Sequence, residues 1–297
     1  MDDSPSSADP EPPPPAQHDV GETARFGRGR TALVMAAAVV AAGLMLVAIA
    51  WSGRDSGPVA EGELRVEVVR RLPHDGDAFT QGLELVDGDV VESTGRYGES
   101  TVRRWDLESG TVSEEVSVPE EFFAEGLTEL PDGRLVQLTW KAGVAIVREA
   151  DSFEEVDRFT YDGEGWGICM DEPSGRLVMS DGSADLTFRD PVTFEVTGSV
   201  DVVDGAGAAV DQLNELECVD GRIWANVWQS DTIVAIDPGS GELEATVDAS
   251  GLLSEAQQAD ADVLNGIAAL PDDEFLITGK LWPEALVVRF VPVEATS

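Results

Sequence analysis

One short pattern recurs five times along the chain, and it restricts the possible folds more than any other feature. Gln81-Gly82-Leu83, Glu125-Gly126-Leu127, Trp166-Gly167-Ile168, Asn214-Glu215-Leu216 and Asn265-Gly266-Ile267 follow one another at spacings of 44, 41, 48 and 51 residues. A tight-turn signal and an apolar run come after each. These are Asp87-Gly88 before Val90-Val91, Asp132-Gly133 before Leu135-Val136, Ser174-Gly175 before Leu177-Val178, Asp220-Gly221 before Ile223-Trp224, and Asp272-Asp273 before Phe275-Leu276. Asp-Gly between apolar runs is the strongest short hairpin signal, because its two central positions need positive φ. Most repeats carry a second hairpin, over 106–112, 151–156, 190–196 and 237–243. Four strands in 40 to 50 residues is the period of a propeller blade. The expectation is therefore an all-β, five-bladed β-propeller over residues 63–297. In it, strands 64–72 and 285–291 share one blade and close the ring. Only 252–263 reads as a helix.

The repeat also locates a cavity. The first residues of the five patterns, Gln81, Glu125, Trp166, Asn214 and Asn265, ring one mouth of the central channel by equivalence. Seven residues past the second residue of each turn stand Gly95, Trp140, Gly182, Trp228 and Lys280. These end the second strands, which run antiparallel to the first, so both sets converge on one rim. Three tryptophans, a carboxylate, a lysine and three amides then face one space. Structural alternatives exist for most of them: packing between blades for the tryptophans, turn capping for the amides, a salt bridge for Lys280. Glu125 is harder to explain that way, because a carboxylate starting an inner strand beside apolar rings is costly unless it is used or paired.

Composition narrows the chemistry. Against 58 acidic residues stand 19 basic ones, a net charge of −39. Nucleic acid is excluded as a ligand, since phosphate binding needs Lys and Arg neutralisation. The charge reads as a strongly solvated surface, with attraction of a cationic substrate as the alternative. Only two lysines occur, Lys141 and Lys280, and only two histidines, His18 and His74. With two cysteines, Cys169 and Cys218, there are too few ligands for a His-rich metal site or a disulfide framework. Catalysis must rest on carboxylates, amides, hydroxyls or a lysine. Cys169 lies three residues after Trp166, and Cys218 four after Asn214. On equivalent strands these offsets put the side chains on opposite faces, so two buried free thiols are expected.

The N-terminal residues stand outside the repeat. Residues 1–24 are rich in Pro, Ser, Asp and Glu, which predicts a disordered cytoplasmic segment over 1–30. Arg25, Arg28 and Arg30 precede an uncharged apolar run at 31–51, long enough to cross a bilayer. Arginines on that side place the N-terminus inside. A transmembrane signal anchor at 31–51, a linker at 52–62 and an extracytoplasmic domain follow. Ala48-Ile49-Ala50 leaves cleavage after Ala50, and hence secretion, as the alternative.

Ten stretches in order resemble a known family. They are His74-Asp75 with Ala78-Phe79-Thr80-Gln81-Gly82-Leu83; Ser93-Thr94-Gly95 with Tyr97-Gly98; Phe123-Ala124-Glu125-Gly126-Leu127-Thr128; and Gln137-Leu138-Thr139-Trp140-Lys141. Then come Gly163-Glu164-Gly165-Trp166-Gly167, Ser180-Asp181-Gly182-Ser183, Leu213-Asn214-Glu215-Leu216-Glu217, Ile223-Trp224-Ala225-Asn226-Val227-Trp228, Leu264-Asn265-Gly266-Ile267 and Thr278-Gly279-Lys280. Together they resemble the glutaminyl-peptide cyclotransferases of the plant and bacterial type, which are five-bladed propellers. The likeness covers residues 64–291. Cys218 departs from it, standing where the family usually carries an aromatic.

The resemblance implies cyclisation of an N-terminal glutamine, on peptides or proteins, to pyroglutamate with loss of ammonia. It makes Glu125 the general acid and base, with Asn214 and Lys280 as hydrogen-bond donors to the amide oxygen. Trp140, Trp166 and Trp228 wall the cavity, and Phe79, Gln81, Phe123 and Asn265 join them in binding substrate. No metal or cofactor is implied, unlike the zinc-dependent animal cyclases with their α/β fold. Two other classes stand beside this reading. One is a non-catalytic binding propeller, which would release no ammonia. The other is a calcium-dependent lactonase-type hydrolase, which would need inward carboxylates from several blades and would fail in chelator. Oligomeric state is not legible.

Overall fold

The computed structural model describes residues 62–293, whose regular structure is almost wholly β. The segment expected to be disordered, the span at 31–51 and the linker up to residue 61 lie outside the described residues. Among the described residues no helix is long and apolar enough to cross a membrane. Of the helix expected over 252–263, only α1 (Glu255–Gln258) forms, opened by a capping box between Ser254 and Gln257. Leu252 and Leu253 are instead buried as irregular chain against the core.

Strands β1 (Gly62–Pro73), β2 (Thr80–Val86), β3 (Asp89–Thr94), β4 (Thr101–Trp105) and β5 (Val112–Ser117) open the chain. Strands β2 to β5 form a four-stranded antiparallel sheet in chain order. A second such sheet holds β6 (Ala124–Glu129), β7 (Arg134–Thr139), β8 (Val144–Glu149) and β9 (Glu155–Thr160). A third holds β10 (Ile168–Asp171), β11 (Arg176–Met179), β12 (Asp185–Arg189) and β13 (Val196–Asp201). The remaining strands are β14 (Leu213–Val219), β15 (Arg222–Val227), β16 (Thr232–Ile236), β17 (Leu243–Asp248), β18 (Leu264–Leu270), β19 (Glu274–Gly279) and β20 (Glu284–Pro292). They form one eight-stranded sheet with β1, in the order β14-β15-β16-β17-β1-β20-β19-β18. The two chain ends do pair, β1 running antiparallel to β20 from Leu64↔Pro292 to Pro73↔Glu284, while β1 lies parallel to β17. This is a propeller-like all-β fold.

Local chemistry explains the hairpins. Asp87 and Gly88 have φ of 54° and 92°, Asp220 and Gly221 of 52° and 76°, and Asp272 and Asp273 of 66° and 57°. Positive φ at both central residues matches the twist of the flanking strands. The second hairpins share another device: Asp106, Asp190 and Asp237 each accept backbone N–H bonds from residues two or three further on.

Strands β2, β6, β10, β14 and β18 lie successively against one another, and β18 lies against β2. The glycine of the repeated pattern permits this crowding. A Cβ on Gly82 would stand 2.7 Å from the Leu127 nitrogen, and one on Gly126 would stand 2.8 Å from the Trp166 carbonyl oxygen. Glu215 alone replaces that glycine. Its buried carboxyl accepts from the Leu83 nitrogen at 3.2 Å and the Ile267 nitrogen at 2.8 Å, joining three of these strands. The core lies between sheet faces, in separate apolar clusters such as that of Val178, Leu216, Ile223 and Val234.

The cysteines correct the sequence reading. Cys169 and Cys218 are not free thiols: they form a disulfide with Cα atoms 5.4 Å apart. Cys169 pairs across its sheet with Val178 and Cys218 with Ile223, two and three residues before the equivalent Ser180 and Asn226. The side chains do therefore point to opposite faces of their own sheets. Neighbouring sheets pack face to face, however, so opposite faces are the ones that meet. Both cysteines sit in the apolar cluster between β10–β13 and β14–β17, with Val178 and Ile223 beside them.

Candidate active site

A repeated backbone bond builds the rim. Gly95 N–H donates to the Phe79 carbonyl (2.8 Å), Trp140 to Phe123 (2.9 Å), Trp228 to Gln212 (2.8 Å) and Lys280 to Val263 (2.9 Å). In each case the residue ending a second strand is tied to the chain two residues before the inner pattern. These bonds hold Trp140, Trp228 and Lys280 beside the starts of the inner strands.

Glu125 lies at the start of β6 and is 4% exposed. Burial pushes its carboxyl well above the usual carboxylate range; the Lys280 ammonium draws it back in part, and the Glu164 carboxylate pushes it up again. Lys280 is 5% exposed, and burial lowers its pKa against the pull of Glu125 and Asp262. Its Nζ stands 4.9 Å from the centre of the Phe79 ring. The rings near it fall into two groups, Phe79–Phe123–Trp140 and Trp166–Trp228, joined through Glu164. Phe79 meets Phe123 edge-on at 6.0 Å, Phe123 meets Trp140 at 5.6 Å, and Trp166 meets Trp228 at 5.4 Å.

The amides are placed as well. Asn265 Nδ2 donates to Gln81 Oε1 and to the Thr80 carbonyl, both at 3.1 Å, so these two pattern residues form one clamp. Asn214 is buried at the start of β14, and its Oδ1 has no hydrogen-bond partner. Ser180 Oγ links the Gly167 nitrogen to the Asn214 carbonyl, which ties the Trp166 segment to β14.

Glu164 is the residue that sequence reasoning passed over. One of its oxygens accepts from Trp140 Nε1 at 2.7 Å and from Trp166 Nε1 at 3.1 Å, and Lys141 Nζ lies 3.3 Å from the other. Burial alone would raise its pKa, but the bonds from Trp166, Trp140 and Lys141 outweigh it and hold the carboxylate low. A glutamate between two glycines, two residues before a pattern tryptophan, was the available signal. Tyr97 was missed too; its ring stands 5.5 Å from Phe123. Beside Phe79 opens a cavity of about 780 Å³, lined by Asp77, Arg96, Glu99, Asp260 and Leu281 among others. Arg96 sits over the Phe79 ring at 4.7 Å. Among the described residues no three His, Cys, Asp or Glu side chains are grouped to hold a metal ion.

This arrangement suits proton transfer to and from the nitrogens that attack and leave a carbonyl carbon. A buried carboxyl of raised pKa interacts with a buried ammonium that stands against the Phe79 ring, and the buried amides Asn214 and Asn265 lie at the starts of two neighbouring inner strands. Known proteins resemble this chain over most of its length. The model of the glutamine cyclotransferase family matches residues 38–290. A glutaminyl-peptide cyclotransferase of Arabidopsis thaliana is 36% identical over 296 residues, covering 95% of this chain and 91% of the relative. The crystal structure of Myxococcus xanthus glutaminyl cyclase superposes with a TM-score of 0.70 at 37% identity, over 79% of this chain and all of that one. A PQQ-bound aldose sugar dehydrogenase of Streptomyces coelicolor, at 13% identity and a TM-score of 0.52 over 76% of this chain and 98% of that one, shares the fold alone.

Proposed function

This chain belongs to the glutamine cyclotransferase family, and we propose that Glu125 moves the proton as it converts an N-terminal glutamine to pyroglutamate. The α-amine attacks the side-chain amide carbon; one C–N bond forms, the old one breaks, and ammonia leaves. Ionised Glu125 takes the proton from the attacking amine and returns it to the departing nitrogen. A free α-amino group has a pKa of ~8. A carboxyl raised by burial exchanges protons with it at less cost than an ordinary one. Lys280 and Asn214 donate to the amide oxygen as it gains charge. The carrying observation is the buried carboxyl of Glu125 coupled to the buried Lys280.

The other residues supply geometry. Attack within one residue is limited by orientation, and Trp140, Trp166 and Trp228 hold the bent side chain while excluding water. Glu164 fixes two of those indoles by their N–H groups. Phe79, Phe123 and the Gln81–Asn265 clamp position the substrate head. The rest of the peptide leaves through the cavity beside Phe79.

The same reading counts five blades, β14–β17 and β18–β19–β20–β1 being two blades joined at the β1–β17 edge. It makes residues 31–51 a membrane anchor with the catalytic domain outside. The arginines before that run support the orientation, and the Cys169–Cys218 bond supports an oxidising compartment. Protease added to intact cells then releases the domain; protection until lysis refutes the orientation.

The catalytic reading is tested by ammonia release from Gln-Ala and longer Gln-peptides by the purified full chain. Glu125→Gln is near-isosteric, so the cavity stays intact while kcat falls by at least ~10²-fold and KM changes little. Near-normal kcat in that variant removes Glu125 as the proton carrier.

A further inference from the structure

The catalytic reading leaves the buried charged cluster around His74 unused. His74 and Glu92 have side chains 1% and 0% exposed and lie 3.2 Å apart. Glu92 also accepts from Thr80 Oγ1 at 2.7 Å, Arg103 Nε at 2.9 Å and Trp105 Nε1 at 3.0 Å. Arg103 reaches on to Asp75 at 2.7 Å. The second ring nitrogen of His74, Nδ1, lies 2.7 Å from the Trp282 carbonyl oxygen. Thr278 Oγ1, 3.5 Å from Nδ1, already gives its proton to the Glu284 carbonyl.

Both nitrogens of the ring therefore face acceptors. A carboxylate and a backbone carbonyl can only accept, so each nitrogen must carry a proton, and only the imidazolium has both. Charge balance agrees. His74 and Arg103 supply two positive charges, Glu92 and Asp75 two negative ones, and these are the charged groups that face the ring. The Glu92 charge and hydrogen bond raise the His74 pKa, although burial alone would lower it.

The carbonyl that His74 holds belongs to the segment carrying Lys280. Leu281, between Lys280 and Trp282, has a φ of 61°, a costly conformation for a residue with a branched side chain. It persists because the segment is gripped from two sides. On one side Lys280 N–H donates to Val263, Asp262 N–H to Lys280, and Trp282 Nε1 to the Asp262 carbonyl. On the other, Leu281 N–H donates to the Ala78 carbonyl at 2.7 Å, His74 N–H to Pro283 at 3.1 Å, and the His74 ring to Trp282. Among the described residues the imidazole is the only side chain on this second side that hydrogen-bonds the turn from Lys280 to Trp282.

We propose that His74 is a positioning residue: as an imidazolium braced by Glu92, it holds the Trp282 carbonyl and so sets Lys280 against the reacting amide. The inference rests on the reading of Lys280 as a donor to the amide oxygen. A neutral ring would have to give up either the Trp282 bond or the Glu92 bond, and the turn would relax.

The test uses the full chain in three variants, His74→Gln, Lys280→Met and the double variant, with Gln-Ala as substrate. Displacing a catalytic group by ~1 Å costs up to ~10²-fold, so His74→Gln lowers kcat by about 10- to 100-fold with KM within about threefold. Lys280→Met lowers kcat by roughly 10²–10³-fold. If His74 acts through Lys280, the double variant is no slower than Lys280→Met alone; losses that multiply refute the inference while leaving the role of Lys280 intact. Full activity in Lys280→Met instead refutes the underlying reading. Unchanged kcat in His74→Gln also overturns the proposal. Should that variant fail to fold, nitrogen NMR of the wild-type imidazole decides: both ring nitrogens protonated at pH 7 support the proposal, and a neutral ring there defeats it.

Discussion

Reducing the Cys169–Cys218 bond should destabilise the fold by an amount set by the loop it closes. The cysteines are 49 residues apart in sequence. Closing a loop of that length removes about 14 cal/mol/K of entropy from the unfolded chain, or about 4 kcal/mol at 25 °C in the chain-entropy account. For a domain of this size each kcal/mol moves Tm by ~2–4 °C, so reduction lowers Tm by about 8–16 °C. Urea unfolding of the full chain, with and without reductant, reads the free energy directly. The urea slope should rise on reduction, since the uncrosslinked unfolded chain exposes more surface. Counting thiols by alkylation in denaturant secures the comparison: none before reduction, two after. Cys169→Ala with Cys218→Ala should reproduce the loss, slightly enlarged because both sites lie in the apolar cluster between two sheets. Two reactive thiols in the unreduced, unfolded chain would refute the bond, and an unchanged urea midpoint after full reduction would refute the loop-entropy argument.

The lysines should separate cleanly. Lys280→Met costs roughly 10²–10³-fold in kcat, whereas Lys141, whose side chain is 51% exposed over Glu164, contributes an ion pair worth at most ~1 kcal/mol, and Lys141→Met stays within about fivefold. Equal losses would mean that the rim is misassigned. Glu215→Ala leaves the Leu83 and Ile267 N–H groups buried without an acceptor, at ~1–3 kcal/mol each, while Glu215→Gln keeps one carbonyl oxygen and loses less; a cost below ~1 kcal/mol for the alanine variant in urea unfolding contradicts this. Stability should peak on the acid side of neutrality. Glu92, held at about 2 by His74 and Arg103 despite its burial, contributes stability that is present above its ordinary 4.5 and lost as pH falls through about 2. His74, raised above 6.5, contributes stability that is full below 6.5 and lost as pH rises through its folded pKa; Glu84 and Glu215, raised chiefly by burial, lose theirs as pH climbs from 4.5. Calorimetry should therefore give a higher Tm at pH 5 than at pH 2.5 or pH 8, and a Tm still rising at pH 8 rejects the assignment.

What the sequence determined by itself was local or repeated. Asp87-Gly88 and Asp220-Gly221 announce hairpins because positive φ is a property of single residues. Gly82 and Gly126 mark the inner strands because a Cβ there would strike the next strand, and that exclusion recurs in every repeat but one. The repeat also assigns Glu125, Lys280 and the tryptophans to one rim, on the expectation that equivalent repeat positions stand at equivalent heights. The tertiary structure decided everything that depends on which faces and loops meet. The alternation that put Cys169 and Cys218 on opposite faces was sound, but faces are defined within a sheet, and only the stacking of neighbouring sheets turns opposite faces into contacting ones. Glu164 became the shared acceptor of two indoles because the loop before β10 crosses beside Trp140 of the preceding sheet. His74 reaches the Trp282 carbonyl across 208 residues because β1 closes against β20, and a contact of that range leaves no local mark on the residues that make it.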